Sequence, residues 1–292
     1  EELSEVHLID SRLDISIEDI LVALKQINIG RLIIHRHLTY KEKELLEAQL
    51  GVFLKKINKG IIGNLDYKEE ILFDINIPIV LVTGISEYTN KFDVQIEMYS
   101  RFKKEGYSVG WIGSRKEAVL CGGESIPEWL YGTQLSFKDK IVYFNHYVKE
   151  YIEKNKNEVL IIGVPGEVCI NDNYFIGHAG ELAVIISQAV NASATILCMM
   201  FDENIEKKTK IWGNYIEERL GVQIKYFAIT NRLYDNNESD VVRKIKYTTL
   251  SNQTIHKMSK IFDGVYMISL DKEKDRMFNA LITDLSEEEN EL

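Results

Sequence analysis

Val80-Leu81-Val82-Thr83-Gly84-Ile85-Ser86-Glu87-Tyr88-Thr89-Asn90-Lys91-Phe92-Asp93 is the stretch whose reading decides the fold. A run of apolar strand formers meets a glycine, a polar loop follows, and a lysine stands where the next helix begins. Such a loop turns backbone N–H groups toward an anion, and the positive end of the helix and the lysine add charge. The usual spacing for phosphate is G-x-x-x-x-G-K-[ST]. Here the loop is one residue longer, Asn90 takes the place of the second glycine, and Phe92 takes the place of Ser/Thr. The competing reading is an ordinary strand-to-helix turn with a solvated lysine.

Outward from this stretch, strand and helix patterns alternate. Toward the C-terminus the pattern predicts a helix over Lys91–Lys104 closed by Gly106, a strand over Ser108–Ile112, and a long helix over Ser136–Asn155. A buried strand over Val159–Ile162, a helix over Glu181–Val190 and a strand over Ala194–Met200 come next. A helix over Ile205–Leu220 and a last buried strand over Ile224–Ile229 complete the series. Runs that are apolar without alternation suit parallel strands covered on both faces. The acidic tail Ser286–Leu292 is expected to fray. Toward the N-terminus, Val6–Ile9 and Arg31–Ile34 read as strands. Ser16 caps a helix carrying Ile20, Leu21, Leu24 and Ile27, Tyr40–Asn58 reads as a charged helix, and Gly60–Gly63 as a brief strand. The fold class expected is α/β: a small Rossmann-like N-terminal domain over 1–76, then a P-loop NTPase-like domain over 77–292 with a mostly parallel sheet.

Bulk properties set limits. The 292 residues carry a net charge of −10, which weighs against nucleic acid or an anionic membrane surface as a partner. No apolar run approaches the ~20 residues of a membrane span, and no secretory signal pattern is visible. The chain starts without methionine, as a fragment would. Cys121, Cys169 and Cys198 form no CxxC pair, so neither a disulfide framework nor a structural zinc site is expected, and the setting read from them is reducing and cytoplasmic.

Candidate site residues follow from the loop. Gly84, Ser86, Thr89, Asn90, Lys91 and Phe92 would surround the phosphates of ATP or another nucleotide. Asn231, in Thr230-Asn231-Arg232 after the last buried strand, would read the base, since an Asn amide can pair bidentately with an adenine edge. Asp93 is the candidate metal ligand. Glu167, after Gly163-Val164-Pro165-Gly166, and His178, in Gly177-His178-Ala179-Gly180, are candidate catalytic acid/base groups. Against each stands a plainer reading: solvated acids, a loop histidine bonding backbone, a polar turn. Cys121 would matter only if its thiol were activated. His35 and His37 share a strand face but lack a third metal ligand nearby.

The longer spacing from Gly84 to Phe92 resembles dethiobiotin synthetase and its relatives. Arg101–Gly113, Ile161–Gly166 and Gly177–Gly180 continue that likeness. Over nearly the whole chain, Gly84, Lys91-Phe92-Asp93-Val94-Gln95, Gly110–Ser114 and Gly163-Val164-Pro165-Gly166 resemble a family of accessory proteins encoded beside radical-SAM enzymes in bacterial peptide maturation. That family is similar to two-domain P-loop proteins that include a D-glutamate N-acyltransferase. The resemblance implies maturation of a ribosomally made peptide. It implies a precursor peptide or small acid as substrate and a radical-SAM enzyme as partner; a homo-oligomer is compatible with it.

Departures from the pattern bear on Mg²⁺. A working P-loop holds the ion with the hydroxyl after the lysine, which Phe92 lacks, and the usual acid at the end of the second strand has become Gly163. Three readings stay open: a nucleotide-using enzyme that modifies a peptide side chain or small acid, a non-catalytic peptide- or partner-binding module, and a CoA-dependent acyltransferase whose cofactor pyrophosphate sits on the same loop.

Overall fold

The computed structural model describes residues 2–3, 6–8, 16–29, 32–34, 40–50, 54–56, 70–170, 176–258 and 264–291. The chain divides into two compact units, 1–63 and 64–292.

The first unit contains β1 (Glu2–Leu3), β2 (Val6–Leu8), α1 (Ile17–Leu24), β3 (Asn28–Ile29), β4 (Leu32–Ile34), α2 (Tyr40–Leu50) and β5 (Leu54–Lys56). Strands β2, β4 and β5 form a parallel three-stranded sheet in that order, while β1 pairs with β3. Ser16 caps α1 by accepting the Asp19 N–H at 3.1 Å. Ile17, Leu21 and Leu24 on one face of α1 pack with Leu32 and Leu46. The expected helix over Tyr40–Asn58 is corrected: it ends at Leu50, and Leu54–Lys56 is a strand paired with β4. Gly51 is a helix-stop residue in the sequence, and the apolar residues after it suit a strand. His35, His37 and Gly60–Gly63 lie outside the described residues.

The second unit holds β6 (Ile79–Gly84), α3 (Lys91–Lys104), β7 (Val109–Gly113), β8 (Glu124–Ser125), α4 (Phe137–Asn155), β9 (Val159–Gly163), α5 (Glu181–Ala189), β10 (Ala194–Phe201), α6 (Ile205–Leu220), β11 (Ile224–Tyr234), α7 (Asn236–Val242), β12 (Tyr247–Thr249), α8 (Asn252–Met258), β13 (Val265–Met267) and α9 (Asp271–Glu291). Its eight strands run in the order β12-β11-β10-β6-β9-β7-β8, with β13 also on β11. All pairings are parallel except β11–β12. The α/β class and the mostly parallel sheet expected from the sequence are what the chain adopts.

Side-chain alternation along β6 builds two cores. Ile79 and Leu81 join residues of α4, α5 and α6 on one face. Val80 and Val82 join Phe92, Met98 and Phe102 of α3 and Phe278 and Leu281 of α9 on the other. Covering both faces explains why these strands read as continuous apolar runs. The segment before β6 is tied to α4 by Asn145, which donates to the Phe73 carbonyl at 3.0 Å and accepts its N–H at 2.7 Å.

Two expectations at the C-terminal end are corrected. Ile224–Ile229 is neither the last strand nor complete, because β11 continues to Tyr234. Thr230, Asn231 and Arg232 therefore lie inside a strand, not in a loop after one. The extension is held by antiparallel β12, a distant partner that no local pattern announces. The tail is not frayed over its described length, since α9 runs to Glu291. Met277, Phe278, Leu281 and Leu285 bury one stripe of that helix and anchor it against the sheet.

Candidate functional site

Strand β6 lies between β9 and β10. The chain leaves β6 toward β7 and β9 on one side and returns to β10 on the other. This is the switch point of an open α/β sheet, where ligands bind at the carboxyl ends of the strands. The Gly84–Lys91 loop emerges there.

The loop is held by its own chain. Ile85 N–H donates to the Cys198 carbonyl at 3.2 Å, and Val168 N–H to the Gly84 carbonyl at 3.1 Å. Thr89, fully buried, donates to the Ser86 carbonyl at 3.1 Å, and Ser86 donates to the Glu87 carbonyl at 3.1 Å. Both hydroxyls thus shape the loop. Gly84 is required beneath them, because a Cβ there would lie 2.6 Å from Thr89 Oγ1. Asn90 adopts the left-handed conformation, φ 55°, at the mouth of α3. Asparagine tolerates that region better than most residues, so it supplies the bend that a glycine would give.

Lys91 opens α3 with its side chain buried at 6% exposure. Its ammonium donates to the Gly166 carbonyl and lies 3.8 Å from Glu87. Burial pushes its pKa below the ordinary lysine value, against the pull of Glu87, Cys198 and Glu167. A cation at the positive end of a helix is also unfavourable. Two penalties thus fall on one side chain, and both would be relieved by an anion bound at that end.

Phe92 points away from the loop. Its ring packs 5.6 Å from Trp111 in the core, and the Arg115 guanidinium lies 5.4 Å from its centroid. Asp93 is exposed on the first turn. Among the described residues, no group of three His, Cys, Asp or Glu converges in a way that could hold a metal ion.

The end of β9, where the missing acid would stand, is filled. A Cβ on Gly163 would fall 2.0 Å from Gln95 Oε1. Gln95, wholly buried on α3, accepts from Ser114 N–H at 3.0 Å and Trp111 Nε1 at 3.3 Å, and donates to Ser114 Oγ at 2.9 Å. Three separate stretches of the sequence, Lys91–Gln95, Gly110–Ser114 and Gly163–Gly166, therefore meet at one amide.

Glu167 is 2% exposed. Its Oε1 accepts the Ala179 N–H at 2.8 Å, while Oε2 has no hydrogen-bond partner among the described residues. Burial raises the carboxyl pKa, although the Ala179 N–H and Lys91 favour the carboxylate. His178, in the same turn as Ala179, is exposed, with its ring 5.1 Å from Tyr131. The two candidate catalytic groups thus adjoin one turn, but only Glu167 is buried near Lys91. Asn231 donates from its amide to the Leu250 carbonyl at 3.2 Å, so one of its two N–H donors joins β11 to the chain beyond β12. Cys121 is exposed, and Cys198 is buried with its thiol pushed up to about 12.

Four features escaped the sequence reading. Gln95 and Glu87 sit in quoted stretches but carry no local signal of their roles. Arg232 reaches across the fold to donate to the Tyr88 carbonyl at 2.8 Å. A cleft of about 460 Å³ opens beside the loop, lined by Ile85, Ser86, Met199, Phe201, Asp202 and Trp212 among others.

No protein-family model matches the sequence, and no curated protein matches it significantly. Among solved structures, a DUF1611 family protein from Anabaena variabilis is similar in fold, with a TM-score of 0.55 and 13% identity over 92% of this chain and 83% of that one. A GTPase in apo form from Pyrococcus abyssi aligns at TM-score 0.37, 15% identical, over 72% of this chain and 96% of its own. The MinD cell division protein of Aquifex aeolicus aligns at TM-score 0.39, 10% identical, over 73% and 97%. The last two similarities are too low to carry an argument. The larger unit is an α/β fold with a mostly parallel sheet and a lysine-headed helix after the central strand at the switch point, and the chain shares its overall course with the DUF1611 protein.

Proposed function

We propose that the Gly84–Lys91 loop holds the phosphates of a nucleotide, ATP foremost, and that the protein binds this nucleotide without a protein ligand for Mg²⁺. The observation that carries the reading is Lys91, a buried ammonium at the positive end of α3. One charge-assisted contact of this kind is worth about 1.5–3 kcal/mol. Lys91→Ala should therefore weaken ATP binding about tenfold or more in calorimetry while leaving the fold intact. Unchanged affinity would return Lys91 to the role of an ordinary turn residue.

On this reading the bound nucleotide serves maturation of a ribosomally made peptide, or modification of a small acid, beside a radical-SAM partner; the sequence resemblance supports that step. The cleft next to Ser86 has room for the group that meets the phosphate. Glu167, with its raised pKa, is suited to holding a proton near Lys91. ATP-dependent change in the mass of a co-expressed precursor peptide would test it, and an unmodified peptide with nucleotide bound would leave a non-catalytic binding module.

A second reading, transfer of an acyl group from a CoA thioester, is favoured by one feature. The loop offers phosphate contacts while Phe92 and Gln95 occupy the places of metal ligands, which suits a pyrophosphate held without metal. Titration with CoA and ATP in parallel separates the two.

A further inference from the structure

The phosphate loop carries a bulky residue in a conformation that such residues rarely adopt. Tyr88 has φ 62°, in the left-handed region, where a side chain with a Cβ is strained. A strained backbone persists only where its surroundings over-determine it. Two contacts reach Tyr88 from one distant strand pair, β11 and β12, and a third joins the two residues that make them. Arg232 of β11 donates from Nη1 to the Tyr88 carbonyl at 2.8 Å. The same guanidinium lies 4.7 Å from the ring centroid of Tyr247 on β12. The Tyr247 ring in turn lies 5.4 Å from the ring of Tyr88. Arg232 is itself set by the β11–β12 pairing, in register with Thr249, and by its N–H to Thr230 Oγ1 at 3.0 Å.

We propose that Arg232, seated on Tyr247, is the positioning residue of the phosphate loop: it holds Tyr88 in the left-handed bend and so keeps the backbone of the loop shaped for an anion. The proposal rests on the reading of Gly84–Lys91 as a phosphate site for its consequence, but not for the pinning itself. It explains why β11 runs past the last buried residues and why it takes an antiparallel partner there. Without this strand pair, Arg232 would have no platform, and the bend at Tyr88 would lack its tie to the sheet. Arginine suits the place because its planar group can stack on a ring and donate in plane at once.

The test uses the full chain with three variants: Arg232→Ala, Arg232→Lys, and Arg232→Ala combined with Tyr88→Asn. Asparagine adopts the left-handed region with little strain, so it removes the need for the pin. Two measurements are made on each, ATP affinity by calorimetry and amide hydrogen exchange of the 85–94 segment without nucleotide. Arg232→Ala should lower ATP affinity about tenfold and speed exchange of the segment at least threefold, on the scale of losing one charge-assisted hydrogen bond. Arg232→Lys, which keeps the charge and one donor, should fall between. Adding Tyr88→Asn should bring affinity and exchange back to near wild type, a rescue that general damage to the β11–β12 pair would not give. Unchanged exchange in Arg232→Ala, or no rescue by Tyr88→Asn, overturns the proposal. If the wild type binds no ATP while exchange responds and is rescued, the pin stands and the nucleotide reading falls.

Discussion

Two neighbouring regions of the larger unit keep different parts of a phosphate-loop pattern. The Gly84–Lys91 loop keeps the bend, the helix start and the lysine that a phosphate needs, with Asn90 taking the left-handed position. One turn further on, the places from which a metal would be held have been given to packing. Phe92 fills a core site against Trp111, and Gln95 occupies the space an acid at position 163 would need. On the proposed reading, the features that suit an anion and those that would hold a metal are carried by different residues. Backbone and one lysine supply the first, whereas the second depends on two side chains that can be replaced by an aromatic ring and an amide.

Substitutions in the two regions should differ in their cost. The largest effect is expected at Phe92, since Phe92→Thr restores the hydroxyl but removes a ring that is 9% exposed. Loss of that packing should cost about 2–4 kcal/mol, near the range for large-to-small core changes. Urea unfolding measures it, and a loss below about 1 kcal/mol would show that Phe92 is dispensable to the core and only displaces a metal ligand. Next comes Gly163→Ala. Its Cβ would press on Gln95, and overpacking of this kind costs about 1–3 kcal/mol. Pairing it with Gln95→Ala should recover most of the loss if the amide is the obstacle; equal losses in the single and double variants would locate the strain elsewhere.

A smaller effect is expected from Glu167→Gln, and it depends on pH. Burial raises the folded-state pKa of Glu167 above its ordinary value of 4.5. The folded protein therefore holds this proton more tightly than the unfolded chain does. That contribution is fully present below the unfolded pKa and is lost as pH rises through the folded pKa. Glutamine does not titrate, so the stability of the variant relative to wild type should grow as pH rises from the unfolded value of 4.5 through the raised folded value. Urea midpoints across that range check it, and a constant or shrinking gap would mean that Lys91 and the Ala179 N–H outweigh burial.

Much of this architecture is legible in the chain. The central strands announce themselves as unbroken apolar runs because both faces are covered. Helices such as α4 and α6 carry their stripes and their stops, Ser136 at one start and Gly221 after one end. The pairing of β11 with β12 is not legible, since Thr230-Asn231-Arg232 looks like a turn until Tyr247–Thr249 is known to lie beside it. For the site, the loop and its lysine are readable as a local motif. The exchange of an acid for Gln95 is not, because the absence of a side chain at Gly163 gives no hint of what fills the space. Glu167 stands out in the sequence as the nearest acid, yet its burial beneath the 177–180 turn comes from a contact 12 residues away.

On the proposed reading the phosphate site needs Lys91 and does not need a protein-held metal. ATP affinity of the wild-type chain, measured by calorimetry with Mg²⁺ and with a chelator, tests that most directly. Binding should change by no more than about threefold between the two conditions and fall about tenfold or more in Lys91→Ala. Binding that appears only with Mg²⁺, or that survives the loss of Lys91 unchanged, would contradict it.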